Sequence, residues 1–111
     1  MTIWLPLWIK TKDNQRGHWS KRSKTSQIER RAAWLSVHAE RSTRPEFPVR
    51  VTITRCGPRT LDPTNMGSAC KSLIDGIADA YGVDDRDLRW QWDFRQRKQS
   101  TYGVEIQIEG I

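Results

Sequence analysis

The chain is poor in the residues that build cross-links and zinc cages. Its 111 residues include two cysteines, Cys56 and Cys70, and two histidines. Two thiols cannot make a disulfide framework, and no further Cys or paired His completes a zinc-ligand spacing, so reduced structural thiols are expected. Long hydrophobic runs are missing too. Ile3 to Ile9 is interrupted by Pro6, is too short to span a bilayer, and lacks the basic lead-in and small-residue cleavage site of a secretory leader. A cytoplasmic chain with no membrane partner is therefore expected. There is no internal repeat, low-complexity tract or linker long enough to divide the chain, which reads as one domain, residues 1–111. Phe and Tyr occur twice each, yet six tryptophans supply bulky apolar surface, which argues for a packed core over disorder.

Acidic residues are scarce in the first half. Residues 1–59 hold 13 Lys/Arg against 4 Asp/Glu, or +9, whereas residues 60–111 hold 6 against 9, or −3, within a total of +6. A basic half suits a phosphate backbone, and clustered carboxylates suit metal ions, since carboxylates approach phosphate only with a cation between them. A basic but merely soluble protein is the bland alternative.

Ile3 to Ile9 reads as a first strand, at a sheet edge because Pro6 donates no ladder hydrogen bond. A basic loop, Lys10 to Lys24, follows with His18 and Trp19 among its cations. Ser26 and Glu29 have capping-box spacing, which predicts a helix from there to about Arg41 with Ile28, Ala32, Leu35 and Ala39 as its core stripe. Trp34 and Val37 fall off that stripe, where packing on a loop or joining a dimer interface would use them. Val49, Val51 and Ile53 alternate with Arg50, Thr52 and Thr54 as a second strand. Asp62-Pro63 resembles a helix start, and a second helix is expected over 64–80, with Met66, Ala69, Leu73, Ile77 and Ala80 on one arc and Ser68, Lys71, Asp75 and Asp79 opposite. Leu88 to Arg95 and Tyr102 to Ile108 alternate as a closing hairpin, and Trp4, Trp8, Trp90 and Trp92 read as core or strand-pair residues. The order β-α-β-α-β-β with one-sided strands predicts an α+β fold, two helices covering one face of a mixed or antiparallel sheet.

The segment LDPTNMGSACKSLIDGIADAYGVDDRD, Leu61 to Asp87, holds six Asp and one Lys around a single helix. Asp75 and Asp79, four apart, repel, so something cationic should sit near them. Lys71, one turn before Asp75, is one candidate and a divalent cation another. Spacing alone does not bring Asp84 and Asp85 back to Asp62. Asp62 before Pro63 is equally a helix cap, and Asp84-Asp85 equally a solvated turn.

In order, DPTN, Lys71, IDGIADA and GVDD resemble the active-site region of RusA-type Holliday-junction resolvases. Asn14, Arg16, His18, Trp19 and Arg22 resemble the N-x-R-x-H-W motif and following basic residue after that family's first strand, and the resemblance extends through YGVEI, covering almost the whole chain. It implies a RusA-like endonuclease domain: a Mg2+-dependent endodeoxyribonuclease, with Mn2+ a possible substitute, that resolves four-way DNA junctions as a homodimer in recombination and repair. By the same resemblance Asp62, Asp75, Asp84 and Asp85 bind metal, and Lys71 joins Asp62, Asp75 and Asp85 in catalysis. Asn14, Arg16, His18, Trp19, Lys21, Arg22 and Lys24 would contact DNA. The implied setting is the bacterial cytoplasm, with chromosomal and phage origin both open.

The chain departs from the best-known members at Thr64, where they carry a second acid. A threonine hydroxyl is a poor metal ligand, although in the D-P-x-N variant Asn65 and Asp75 are candidates to complete the site. The competing readings are a non-catalytic branched-DNA-binding protein of the same fold and an unrelated small basic adaptor.

Overall fold

A computed structural model describes residues 1–10 and 19–111, with 19–22 described by backbone alone. The elements are β1 (Thr2–Leu5), α1 (Trp19–Ala39), β2 (Val49–Gly57), a 3-10 turn (Pro63–Asn65), α2 (Met66–Ala69), α3 (Lys71–Tyr81), β3 (Trp90–Lys98) and β4 (Gly103–Gly110). The fold is α+β, and its sheet runs β1-β4-β2-β3. β4 pairs antiparallel with both β1 and β2, while β3 runs parallel to β2. No helix among the described residues is long and apolar enough to cross a membrane.

Register sets the two faces. Ile53 lies opposite Ile106 and Phe94, and Ile106 opposite Ile3, so alternate residues on all four strands share one side. That side supplies Val49, Val51, Ile53, Val104, Ile106 and Ile108 to the core, where they meet Ala33 and Val37 of α1 and Leu73 and Ile77 of α3. The other side carries Arg50–Glu109 and Arg97–Glu105 ion pairs.

α3 follows its sequence pattern. Leu73 and Ile77 are fully buried, and Gly82 ends the helix with φ 68°, a left-handed conformation that glycine adopts without a Cβ penalty. Gly82 N–H reaches Asp79 O and Val83 N–H reaches Ala78 O, which satisfies the last carbonyls. A Cβ on Gly76 would overlap the Arg30 carbonyl, so glycine there allows α3 to lie directly against α1.

Several expectations need correction. The first strand stops at Leu5 because Pro6 breaks the ladder, but its edge position is as expected. α1 begins at Trp19, so Ser26 lies within the helix and caps nothing, and Lys21, Arg22 and Lys24 are helical. Its core face is Glu29, Ala33 and Val37, whereas Ile28 and Leu35 are exposed. Close approach at Gly76 admits only small side chains, and buried Glu29 accepts a 2.5 Å hydrogen bond from Ser72. Val37 is thus a core residue, and Trp34 stacks on His38. The second helix is interrupted at Cys70 into α2 and α3. The expected closing hairpin is split, because β2 lies between β3 and β4 and hydrogen-bonds to both. Trp90 is a core residue, but Trp4 and Trp8 are about half exposed.

Candidate active site

Two acid-bearing turns flank α3, and side chains of β3 fasten both. At the first, Gln96 accepts from Leu61 N–H at 2.7 Å and donates to Leu61 O at 2.8 Å, closing a two-point grip on the backbone next to Asp62. Asp62 caps the 3-10 turn: its carboxylate accepts from Thr64 N–H at 3.0 Å and from the Thr64 hydroxyl at 2.8 Å. These two donors hold the exposed Asp62 carboxyl below the usual carboxylate range, with the backbone N–H contributing most.

At the second turn, the indole N–H of Trp90 donates to Asp84 O and that of Trp92 to Asp85 O, each at 3.0 Å. Stacking of these two rings, centroids 4.8 Å apart, fixes the donors relative to each other. The Asp84 carboxyl is pulled below its usual range by Arg86, through side-chain and backbone hydrogen bonds.

Lys71, at the start of α3, joins helix to turn. Its ammonium lies 2.8 Å from Asp85 Oδ2 and 3.0 Å from Asp75 Oδ1. Hydrogen bonds to Asp85 first and Asp75 second raise its pKa, so it stays charged throughout the neutral range. One turn further along, Asp79 pairs with Arg30 of α1, and that hydrogen bond is the chief cause of a raised Arg30 pKa. Asp75, Asp79, Asp84, Asp85 and Arg30 line an open cleft of about 470 Å³.

The structure therefore brings together Lys71, Asp75 and Asp85 by direct contact and places Asp84 in the same cleft. Asp62 is not among that cleft's lining residues. Asn14, Arg16 and His18 lie outside the described residues, as do the side chains of Trp19, Lys21 and Arg22, while Lys24 is exposed on α1. The donor set of the cleft is carboxylate oxygen with no thiolate or imidazole, which fits a hard divalent cation. Among the described residues no three His, Cys, Asp or Glu side chains form a ready-made metal cluster; the positive charge between Asp75 and Asp85 is Lys71.

Sequence reasoning missed the residues that position the site. Gln96 and Arg55 are both polar interruptions of an apolar strand face, Gln96 after Trp90, Trp92 and Phe94, and Arg55 after Val49, Val51 and Ile53. That interruption was the available signal. Arg55 is buried and donates to Ile9 O at 2.7 Å and Arg59 O at 2.5 Å, tying the segment after β1 to the one leading into Asp62. Burial pushes its pKa down.

The fold and cleft define a small α+β domain with a lysine held between carboxylates. No family model matches the chain. It is similar to a protein of Xylella fastidiosa (strain Temecula1 / ATCC 700964), described as "Uncharacterized protein", with 37% identity over 82 residues. The match covers 66% of this chain and 52% of that protein, so the chain spans about half the length of the curated relative it matches.

Proposed function

We propose that this chain is a RusA-type, metal-dependent endodeoxyribonuclease that resolves four-way DNA junctions as a homodimer in the bacterial cytoplasm. The observation that carries this reading is the Lys71 ammonium held between Asp75 and Asp85 beside an acid-lined cleft. A fixed cation among carboxylates suits phosphodiester hydrolysis, which must accommodate an anionic substrate and stabilise the charge that develops on its oxygens. The resemblance of DPTN, Lys71 and GVDD to the resolvase active site supports the same chemistry.

The resemblance assigns Mg2+ or Mn2+ to Asp62, Asp75, Asp84 and Asp85, of which Asp75, Asp84 and Asp85 line the cleft. The ion would supply a polarised phosphate and an activated water nucleophile. Lys71, kept protonated by its two acidic partners, neutralises charge on a phosphate or leaving oxygen. Trp90 and Trp92 keep the Asp84–Asp85 turn in place, and Gln96 does so for the Asp62 turn. The basic first half, including Lys21, Arg22 and Lys24, would hold the DNA backbone. A homodimer would present two such sites to the symmetric strands of a junction.

One observation favours a second reading, a branched-DNA-binding protein without catalysis. Thr64 stands two residues after Asp62 and donates to its carboxylate, where the best-known resolvases place a second acid. The deciding experiment is incubation of the protein with a four-way junction in Mg2+, in Mn2+ and in chelator. The nuclease reading expects paired nicks that require the metal. Failure to cut any branched substrate in either metal, with cutting not restored by Thr64→Asp, leaves only the binding reading.

A further inference from the structure

Two aromatic side chains that pack on each other remain exposed: Trp8 at 46% and Tyr102 at 37%. Tyr102 is seated on a glycine. A Cβ on Gly57 would come within 2.8 Å of Tyr102 Cδ1, so that ring rests directly on backbone, whereas Trp4, seated on Gly103 and opposite Glu105, belongs to the other side of the sheet. Trp8 packs on Tyr102 with centroids 4.7 Å apart. Lys10 carries its ammonium 4.5 Å from the Trp8 centroid, and exposed Lys98 stands opposite Gly57 in the β2–β3 register. Aromatic surface exposed in a group on so polar a chain points to a contact, and the cations around it point to an anionic partner.

We propose that Trp8 and Tyr102 form a stacking platform for an unpaired nucleobase of bound DNA, with Lys10 meeting the adjoining phosphate. This rests on the DNA-binding reading above and adds to it a site for bases released from pairing. Every base offers a π-face, so such a platform is tolerant of sequence, and rings already packed on each other lose little freedom when a base arrives. None of the platform residues lines the acidic cleft. Arg55, bound to Ile9 O and Arg59 O, couples the base of the platform to the Asp62 turn.

The test measures binding of a short oligothymidylate, a four-way junction and a fully paired duplex to the wild-type chain and to Trp8→Ala, Tyr102→Ala and Trp8→Phe. Each alanine variant should weaken oligothymidylate binding about 5- to 100-fold and leave duplex binding unchanged, with Trp8→Phe close to wild type. A wild-type crosslink keeps the result independent of variant folding: an oligonucleotide carrying 5-iododeoxyuridine, irradiated on the unmodified protein, should form adducts at Trp8 or Tyr102. Wild-type single-strand affinity in both alanine variants, or adducts confined to other residues, overturns the platform and leaves the nuclease reading standing. A wild-type chain that binds neither junction nor single strand overturns both.

Discussion

The turns bearing Asp62 and Asp85 share an anchor and differ in what their carboxylates meet. β3 grips the first through Gln96 and both backbone groups of Leu61, and the second through single indole N–H groups of Trp90 and Trp92. Asp62 is engaged locally, by Thr64 two residues on, whereas Asp85 is engaged across the fold by Lys71. One strand therefore sets the spacing between two loops distant in sequence, and the second loop alone is also tied to α3. Asp62 keeps an exposed carboxylate facing solvent, while Asp85 belongs to a charge-balanced group.

The largest effect on this arrangement should come from Gln96→Leu, which strands the N–H and C=O of half-buried Leu61. An unsatisfied backbone group costs about 1–3 kcal/mol, so denaturant unfolding should show a loss of at least about 1 kcal/mol, with junction cutting reduced more than junction binding. Wild-type stability and cutting would mean that the Asp62 turn holds itself. Trp92→Phe should do less, since it keeps the ring and removes one donor. About 1 kcal/mol of stability should go, and loosening of Asp85 should appear as faster amide exchange through residues 84–87. Unaltered exchange there would assign the anchoring to Trp90 and Lys71.

The smallest effect concerns Thr64. Its hydroxyl and N–H depress the Asp62 pKa, so their stabilisation is present above the ordinary carboxylate range and is lost as pH falls through the lower folded value. Thr64→Val removes the hydroxyl and retains the N–H, so an NMR titration should find the Asp62 carboxyl moved partway back up. An unmoved titration would assign the whole depression to the backbone donor.

Local chemistry was legible in the sequence and long-range placement was not. Leu73 and Ile77 stand at helical spacing and Lys71 and Asp75 at i,i+4, so a helix here and the ion pair, as one of two ways to offset the acids, could be read, while the break at Cys70 could not. On α1 the apolar residues Ile28 and Leu35 mark a face that the fold leaves in water. Contact with Gly76 made small residues and Glu29 the inner face, which no periodicity expresses. The two last strands alternate as a hairpin would, but alternation reports burial and not the identity of a neighbour, and it gave no sign that β2 lies between them. Asp85 was reached through family resemblance, and its contact with Lys71 belongs to the tertiary structure. The indole N–H groups of Trp90 and Trp92 were hidden behind an ordinary reading of tryptophan as core.

The central claim is that the two acidic turns serve one metal-dependent reaction centre. It is tested most directly by single-turnover cleavage of a four-way junction in Mg2+ by Asp62→Asn and Asp85→Asn, with junction affinity measured on the same preparations. Each substitution keeps size and removes one negative charge. The account predicts that each lowers cutting by at least about 100-fold while binding is unchanged or tighter, because less negative charge faces the phosphates. Cutting at the wild-type rate by either variant would contradict it.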